Sequence, residues 1–183
     1  MRHVQRLVAL FVVLLTTVGC DQATKSMAQS HLSSSAPRTF LNGIFSLQYA
    51  ENSGAFLSLG AGLSADAQHW FFTVFVTIVL VALLIFAIRE SSKAHTPVIV
   101  AFALFLGGGI GNLIDRFTNN GHVIDFMHLN FMHLDFMPIG VGWLRTGVFN
   151  VADMALMAGV ALLLLYGYRT GPSQPPADNG LSQ

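Results

Sequence analysis

Residues 70–88 read WFFTVFVTIVLVALLIFAI, 19 positions without a charge or a proline. A bilayer core of about 30 Å is spanned by about 20 apolar residues in a helix, so this stretch constrains the fold more than any other. Three further stretches resemble it. Residues 7–18 are apolar and continue as a helix to about 27 if Asp21 and Lys25 sit at its outer end. Residues 97–114 read PVIVAFALFLGGGIGNLI, and residues 148–168 read VFNVADMALMAGVALLLLYGY. Only 10% of the 183 residues are charged, with a mean hydropathy of +0.60, where a soluble domain carries about 25%. The fold expected is mainly α, with four transmembrane helices at about 7–27, 70–88, 97–114 and 148–168 in a single membrane-embedded domain, 1–168. The polar, Pro/Gly-rich tail 169–183 is expected to be disordered.

Charge helps to orient the chain. Arg2, Arg6, Arg89, Lys93 and Arg169 flank the ends that would face the cytoplasm, with both termini inside. Lys25, Arg38, Arg116 and Arg145 fall on the other side, so the basic bias is five to four. The long connections, about 28–69 and 115–147, then face outward. Within the first, apolar Phe45, Leu47 and Tyr49 alternate with Ser46 and Gln48, the period of a strand. Asn52-Ser53-Gly54 adds turn chemistry before AFLSL, which predicts a hairpin in a small outward-facing sheet at the membrane surface. The second contains FMHLN followed at once by FMHLD, residues 126–135, a local duplication.

Zero formal net charge offers nothing to a nucleic acid. The lone Cys20 excludes an intrachain disulfide and a multi-cysteine metal site. His122, His128 and His133 lie near Asp125 and Asp135, but the five-residue step from His128 to His133 suits no helical ligand pair. In an extended segment, residues five apart point to opposite faces. No metal and no cofactor is expected.

Three acids lie where hydrocarbon should begin. Asp153 is six residues into an apolar stretch, Asp115 ends the third stretch, and Asp125 follows in VIDF. An acid at membrane depth costs about 2.5–3.5 kcal/mol on insertion scales and calls for a partner or a task. Two carboxyl groups in contact share one proton, so one serves as general base while the other polarises a carbonyl. That chemistry is an aspartic peptidase at a bilayer surface. The competing class is a small ion- or proton-coupled transport protein, in which such acids relay ions.

Five motifs in order decide between these: DQATK (21–25), ENSGAF (51–56), GGGIGNLIDR (107–116), VIDF (123–126) and FNVAD (149–153). With the four apolar stretches they resemble lipoprotein signal peptidase, the signal peptidase II family of bacterial membranes, over about residues 7–168. The resemblance implies a multi-pass inner-membrane endopeptidase with its site on the periplasmic side; a monomer is expected. It would cleave prolipoproteins before a diacylglyceryl-modified cysteine, in contact with membrane lipid. It implies Asp125 and Asp153 as the catalytic pair. Asn52 and Gly54 match positions near the site, Asn112 and Arg116 substrate-orienting positions, and Asp115 a supporting acid. Asp21 and Lys25, four apart on one helical face, would hold the site together. Asn150 would cap the fourth helix.

Three expectations concern single features. The stretch between VIDF and FNVAD is longer than the family pattern and is expected to form a lid or a membrane-surface strand. Asp135 within it is not expected to be a catalytic acid. Val18-Gly19-Cys20 looks like a lipoprotein cleavage box, but three apolar helices follow it, so Cys20 is expected as a helix-buried thiol in a retained first helix.

Overall fold

The computed structural model describes residues 2–54, 62–130 and 146–170. Four helices in it are long and apolar enough to cross a membrane: His3–Leu32, Asp66–Glu90, Thr96–Thr118 and Val151–Arg169. The chain is a multi-pass membrane protein.

Helix α1 (Arg2–Leu32) runs past both ends of its apolar stretch. At 1.5 Å per residue it is about 46 Å long, more than the hydrocarbon thickness requires. Its buried residues form one stripe, Leu10, Leu14, Thr17, Asp21, Lys25, Ala28 and Leu32, with steps of three or four that keep them on one face. The stripe is apolar at Leu10 and Leu14, ionic at Asp21 and Lys25, and apolar again at Ala28 and Leu32. Cys20 is off it and exposed, which corrects the expectation of a buried thiol: one residue before Asp21 turns the side chain about 100° away from the packed face.

The second span begins earlier than its apolar stretch. Ser64 accepts the Ala67 N–H at 3.3 Å, and a capped first turn with an acid, Asp66, starts a helix before hydropathy does. A short α2 (Ala65–Gln68) passes through a π-helical turn (His69–Phe75) into α3 (Val76–Glu90). Helix α4 (Thr96–Thr118) has Pro97 in its first turn and carries all of GGGIGNLIDR. Helix α5 (Val151–Arg169) starts three residues after its apolar stretch because Asn150 caps it.

Helix α4 is the centre, packed against α1, α3 and α5. Its glycines explain how. A Cβ on Gly107 would lie 2.8 Å from Cβ of Thr17 on α1, one on Gly108 would strike the Ala152 carbonyl of α5, and one on Gly109 would lie 2.5 Å from Leu80 of α3. Three consecutive residues, each turned about 100° from the last, face three different helices. Without a hydrophobic driving force inside lipid, such close backbone approach supplies the packing.

At one end of the bundle lies a three-stranded antiparallel sheet, ordered β1-β2-β3: β1 (Arg38–Phe40), β2 (Phe45–Asn52) and β3 (Val123–Leu129). The alternating segment is a strand as expected, and a strand that precedes it also pairs with it. Strand β1 pairs back on β2 through the turn Leu41–Gly43, where Leu41, Asn42 and Gly43 all have positive φ. The AFLSL half of the expected hairpin lies outside the described residues. So do the second copy of the duplication with Asp135 and His133, most of the expected lid, and the tail beyond Thr170. The first copy of the duplication, 126–130, supplies the second half of β3 and Asn130.

Candidate active site

Two local devices bring the acids together. The first is a bulge. Residues 45–47 of β2 pair with 129–127, but Ala50 pairs with Asp125, so β2 carries one extra residue between Leu47 and Ala50. Side chains alternate faces along a strand, and one inserted residue reverses that assignment. Asn52 thereby shares the face of Asp125 and donates its Nδ2–H to Asp125 Oδ2 at 3.0 Å. An unbroken register would bring Glu51 to that face instead. The second device docks the start of α5 on the free edge of β3. Phe149 and Met127 exchange backbone hydrogen bonds at 2.8 Å in both directions. That pairing sets Asn150 to Asp153 beside Asp125.

Asn150, fully buried, holds the two acids to each other. Its side chain donates to Asp125 Oδ1 at 2.7 Å, while its backbone N–H donates to Asp153 Oδ2 at 3.2 Å. The capping expected of Asn150 is also present: its Oδ1 accepts the Asp153 N–H at 2.9 Å, and the reciprocal bond completes a capping box. Asn112 donates to Asp153 Oδ1 at 3.0 Å. Each carboxyl group thus receives two N–H donors, and both are buried, Asp125 at 2% exposure and Asp153 at 5%. On β3, burial pushes the Asp125 carboxyl up to about 6; the N–H groups of Asn52 and Asn150 oppose the shift and the Asp153 charge adds to it.

Beneath the pair lies an ionic cluster. Lys25 Nζ meets Asp21 Oδ2 at 2.7 Å and Asp115 Oδ2 at 2.8 Å, and donates to Asn112 Oδ1 at 2.9 Å. The two carboxylates face outward from the lysine onto the elements that carry the site. Asp21 Oδ1 accepts the Ala152 N–H at 2.8 Å, one residue before Asp153. Asp115 Oδ2 accepts the Ile124 N–H at 3.0 Å, one residue before Asp125. One helix, α1, therefore fixes both acid-bearing segments through a single ammonium. Asp115 makes no ion pair with the adjacent Arg116 among the described residues. Gln22, unmarked in the sequence reading, donates to Asp115 Oδ1 at 2.9 Å and to the Gly111 carbonyl at 3.1 Å. Its position inside DQATK was the available signal.

Arg116 reaches across the mouth of the site. It donates to the Gly54 carbonyl at 2.7 Å and the Asn112 carbonyl at 3.3 Å, and lies 5.7 Å from the Phe72 ring of the π-helical turn. Its Nε is buried without a partner, a donor available to something not yet bound. Gly54 N–H in turn donates to Asn52 Oδ1 at 2.9 Å, so the Asn52-Ser53-Gly54 turn links Arg116 to Asp125. Asn112, by contrast, has both ends of its amide engaged, by Lys25 and Asn150 at the oxygen and by Asp153 at the nitrogen. All ten residues singled out from the sequence fall in one connected network. No group of three or more metal-ligating side chains occurs among the described residues.

The chain has known relatives. A profile of the family described as signal peptidase (SPase) II matches residues 13–169. A lipoprotein signal peptidase of Chlorobium phaeovibrioides is 33% identical over 169 residues, covering 88% of this chain and 91% of its own. One from Streptococcus pyogenes serotype M1 is 35% identical over 161 residues, covering 88% and 92%. Two solved structures of a bacterial membrane enzyme, obtained by the in meso method at 2.3 and 1.9 Å, align with TM-scores of 0.68 and 0.65. Both are 26% identical, covering 91% and 86% of this chain and 93% and 90% of theirs. These likenesses favour the peptidase over the transport protein. The profile match and the relatives above 30% identity agree with the paired acids at the end of a four-span bundle: this chain belongs to the signal peptidase II family, membrane endopeptidases of the aspartic type.

Proposed function

We propose that the chain removes signal peptides from prolipoproteins, cutting before a diacylglyceryl-modified cysteine, with Asp125 and Asp153 as the catalytic pair. The observation that carries this reading is Asn150, whose side chain and backbone donate to the two carboxyl groups at once. Two acids so joined, in a buried site, hold one proton between them more easily than two charges. The ionised member takes a proton from a water as that water attacks the scissile carbonyl. The protonated member gives its proton to the carbonyl oxygen, forming a tetrahedral gem-diol. Collapse returns a proton to the leaving amine, the C–N bond breaks, and the pair regains its shared proton. No covalent acyl-enzyme forms.

The remaining groups position these two. Asn112, whose amide oxygen is held by Lys25 and Asn150, orients Asp153 through one N–H and has its second N–H for the substrate. The Arg116 Nε–H is left to donate to a substrate carbonyl or a lipid ester oxygen. Binding energy from the diacylglyceryl group, remote from the bond, converts into register at the scissile carbonyl. Both acids lie in one chain, which supports a monomeric enzyme. The basic residues flanking the far ends of the helices support a cytoplasmic location for both termini, with the sheet and site on the periplasmic side.

The test is a cleavage assay on a lipidated prolipoprotein with the product mapped by mass spectrometry. The expected result is cleavage only before the lipidated cysteine, with the unlipidated precursor left intact. Equal cleavage of the unlipidated precursor would overturn the substrate assignment.

A further inference from the structure

At the seam between α1 and the sheet lies a second feature, lined by none of the residues of the site. Asp125 and Phe126 are neighbours on β3 and face opposite ways, as alternation requires. Phe126 packs with Ala28 and Leu32 of α1 and with Leu47 of β2. Along this seam runs a groove of about 310 Å³, with Met27, Leu32, Leu47 and Phe126 as walls and His31 and Arg38 at the rim. No carboxylate lines it. Arg38 is exposed and makes no ion pair among the described residues.

Next to the groove, the β1–β2 turn is built against ordinary surface rules. Leu41 is 72% exposed and Phe40 is 46% exposed. Leu41 also has φ of 51°, a left-handed conformation that disfavours a bulky side chain. A soluble protein would place asparagine or glycine there. An apolar tip held out at the end of a helix longer than the hydrocarbon core fits the lipid headgroup boundary, where apolar tips enter and basic groups meet phosphate.

We infer that the α1–sheet seam binds one anionic phospholipid of the bilayer, its phosphate on Arg38 and an acyl chain in the groove, with Phe40 and Leu41 seated in the same leaflet. Charge complementarity selects the occupant: a basic rim above an acid-free apolar channel matches an anionic headgroup above a hydrocarbon chain. The lipid is distinct from the substrate, because none of the residues lining the groove belongs to the network that holds the two acids. Its chain would support Phe126 from behind and steady the strand that carries Asp125. The proposal rests on the membrane span, not on the peptidase reading.

The experiment is native mass spectrometry of the full chain released from nanodiscs containing equal phosphatidylglycerol and phosphatidylcholine. The wild type is expected to retain one phosphatidylglycerol in preference to phosphatidylcholine. Arg38→Gln is expected to lower that retention about fivefold, the factor for losing one interfacial basic contact, while Arg89→Gln at the other end of the bundle leaves it unchanged. Equal retention of the two lipids, or equal loss in both variants, would overturn the site. Displacement of the retained lipid by a diacylglyceryl-cysteine peptide would also overturn it, by making the groove part of the substrate path. Neither variant removes a group of the active site, so cleavage measured in parallel reports separately on the peptidase.

Discussion

Asn150 is one residue with two tasks, and a substitution separates them. Serine caps a helix about as well as asparagine but is too short to reach Asp125. Asn150→Ser should therefore keep the cap, lose about 1–3 kcal/mol for the buried acceptors left unpaired, and lower the rate on the order of 10²-fold, the cost of a misplaced reacting group. A loss of stability with an unchanged rate would assign Asn150 to the cap alone. Asp125 carries a second prediction at this scale. In the folded protein its carboxyl titrates at about 6 instead of 3.8, so the folded state binds the extra proton between those values. Stability from this group is complete below about pH 4 and is lost as pH rises to about 6. Asp125→Asn should remove that slope and stabilise the protein above pH 7 by roughly 1–3 kcal/mol. Melting temperatures in detergent across this range, wild type against variant, would show it; a steeper slope in the variant would contradict it.

Among the elements, α4 decides how closely the others approach, and its glycines make this measurable. Gly108→Ala drives a methyl into the backbone of α5 at Ala152, beside the residue that holds Asp153. It should destabilise by about 1–3 kcal/mol and lower activity with it. Gly19→Ala on α1 meets nothing within 4 Å and should stabilise by up to about 1 kcal/mol through helix propensity alone. Thermal melts of the two variants check the pair; equal effects would mean that the glycines are not contact points. Much at this scale was legible in the sequence, because apolar run length sets membrane spans directly. The extensions were not. Helix α1 continues to Leu32 through polar residues that hydropathy scores as loop, and α2 starts at a serine cap. Cys20 was misplaced because run length says nothing about which face is packed. The three-and-four spacing of Leu14, Thr17, Asp21 and Lys25 was in the sequence and excludes Cys20 from that face.

For the molecule as a whole, the site is a joint between elements distant in the chain. Lys25 on α1, Asp115 on α4, Asp125 on β3 and Asp153 on α5 meet at one end of the bundle. Resemblance to a family brought these residues together on paper. The physical reasons were not readable: the bulge in β2 that presents Asn52, and the bridge from Met127 to Phe149, depend on pairing between strands that no local pattern encodes. The most direct measurement of the central claim is the rate of prolipoprotein cleavage by wild type, Asp125→Asn, Asp153→Asn and the double variant. If the two acids act as one unit on one water, each single variant loses roughly 10²-fold or more and the double variant loses little further. Losses that multiply in the double variant, or a single variant that still cleaves at near the wild-type rate, would contradict the account.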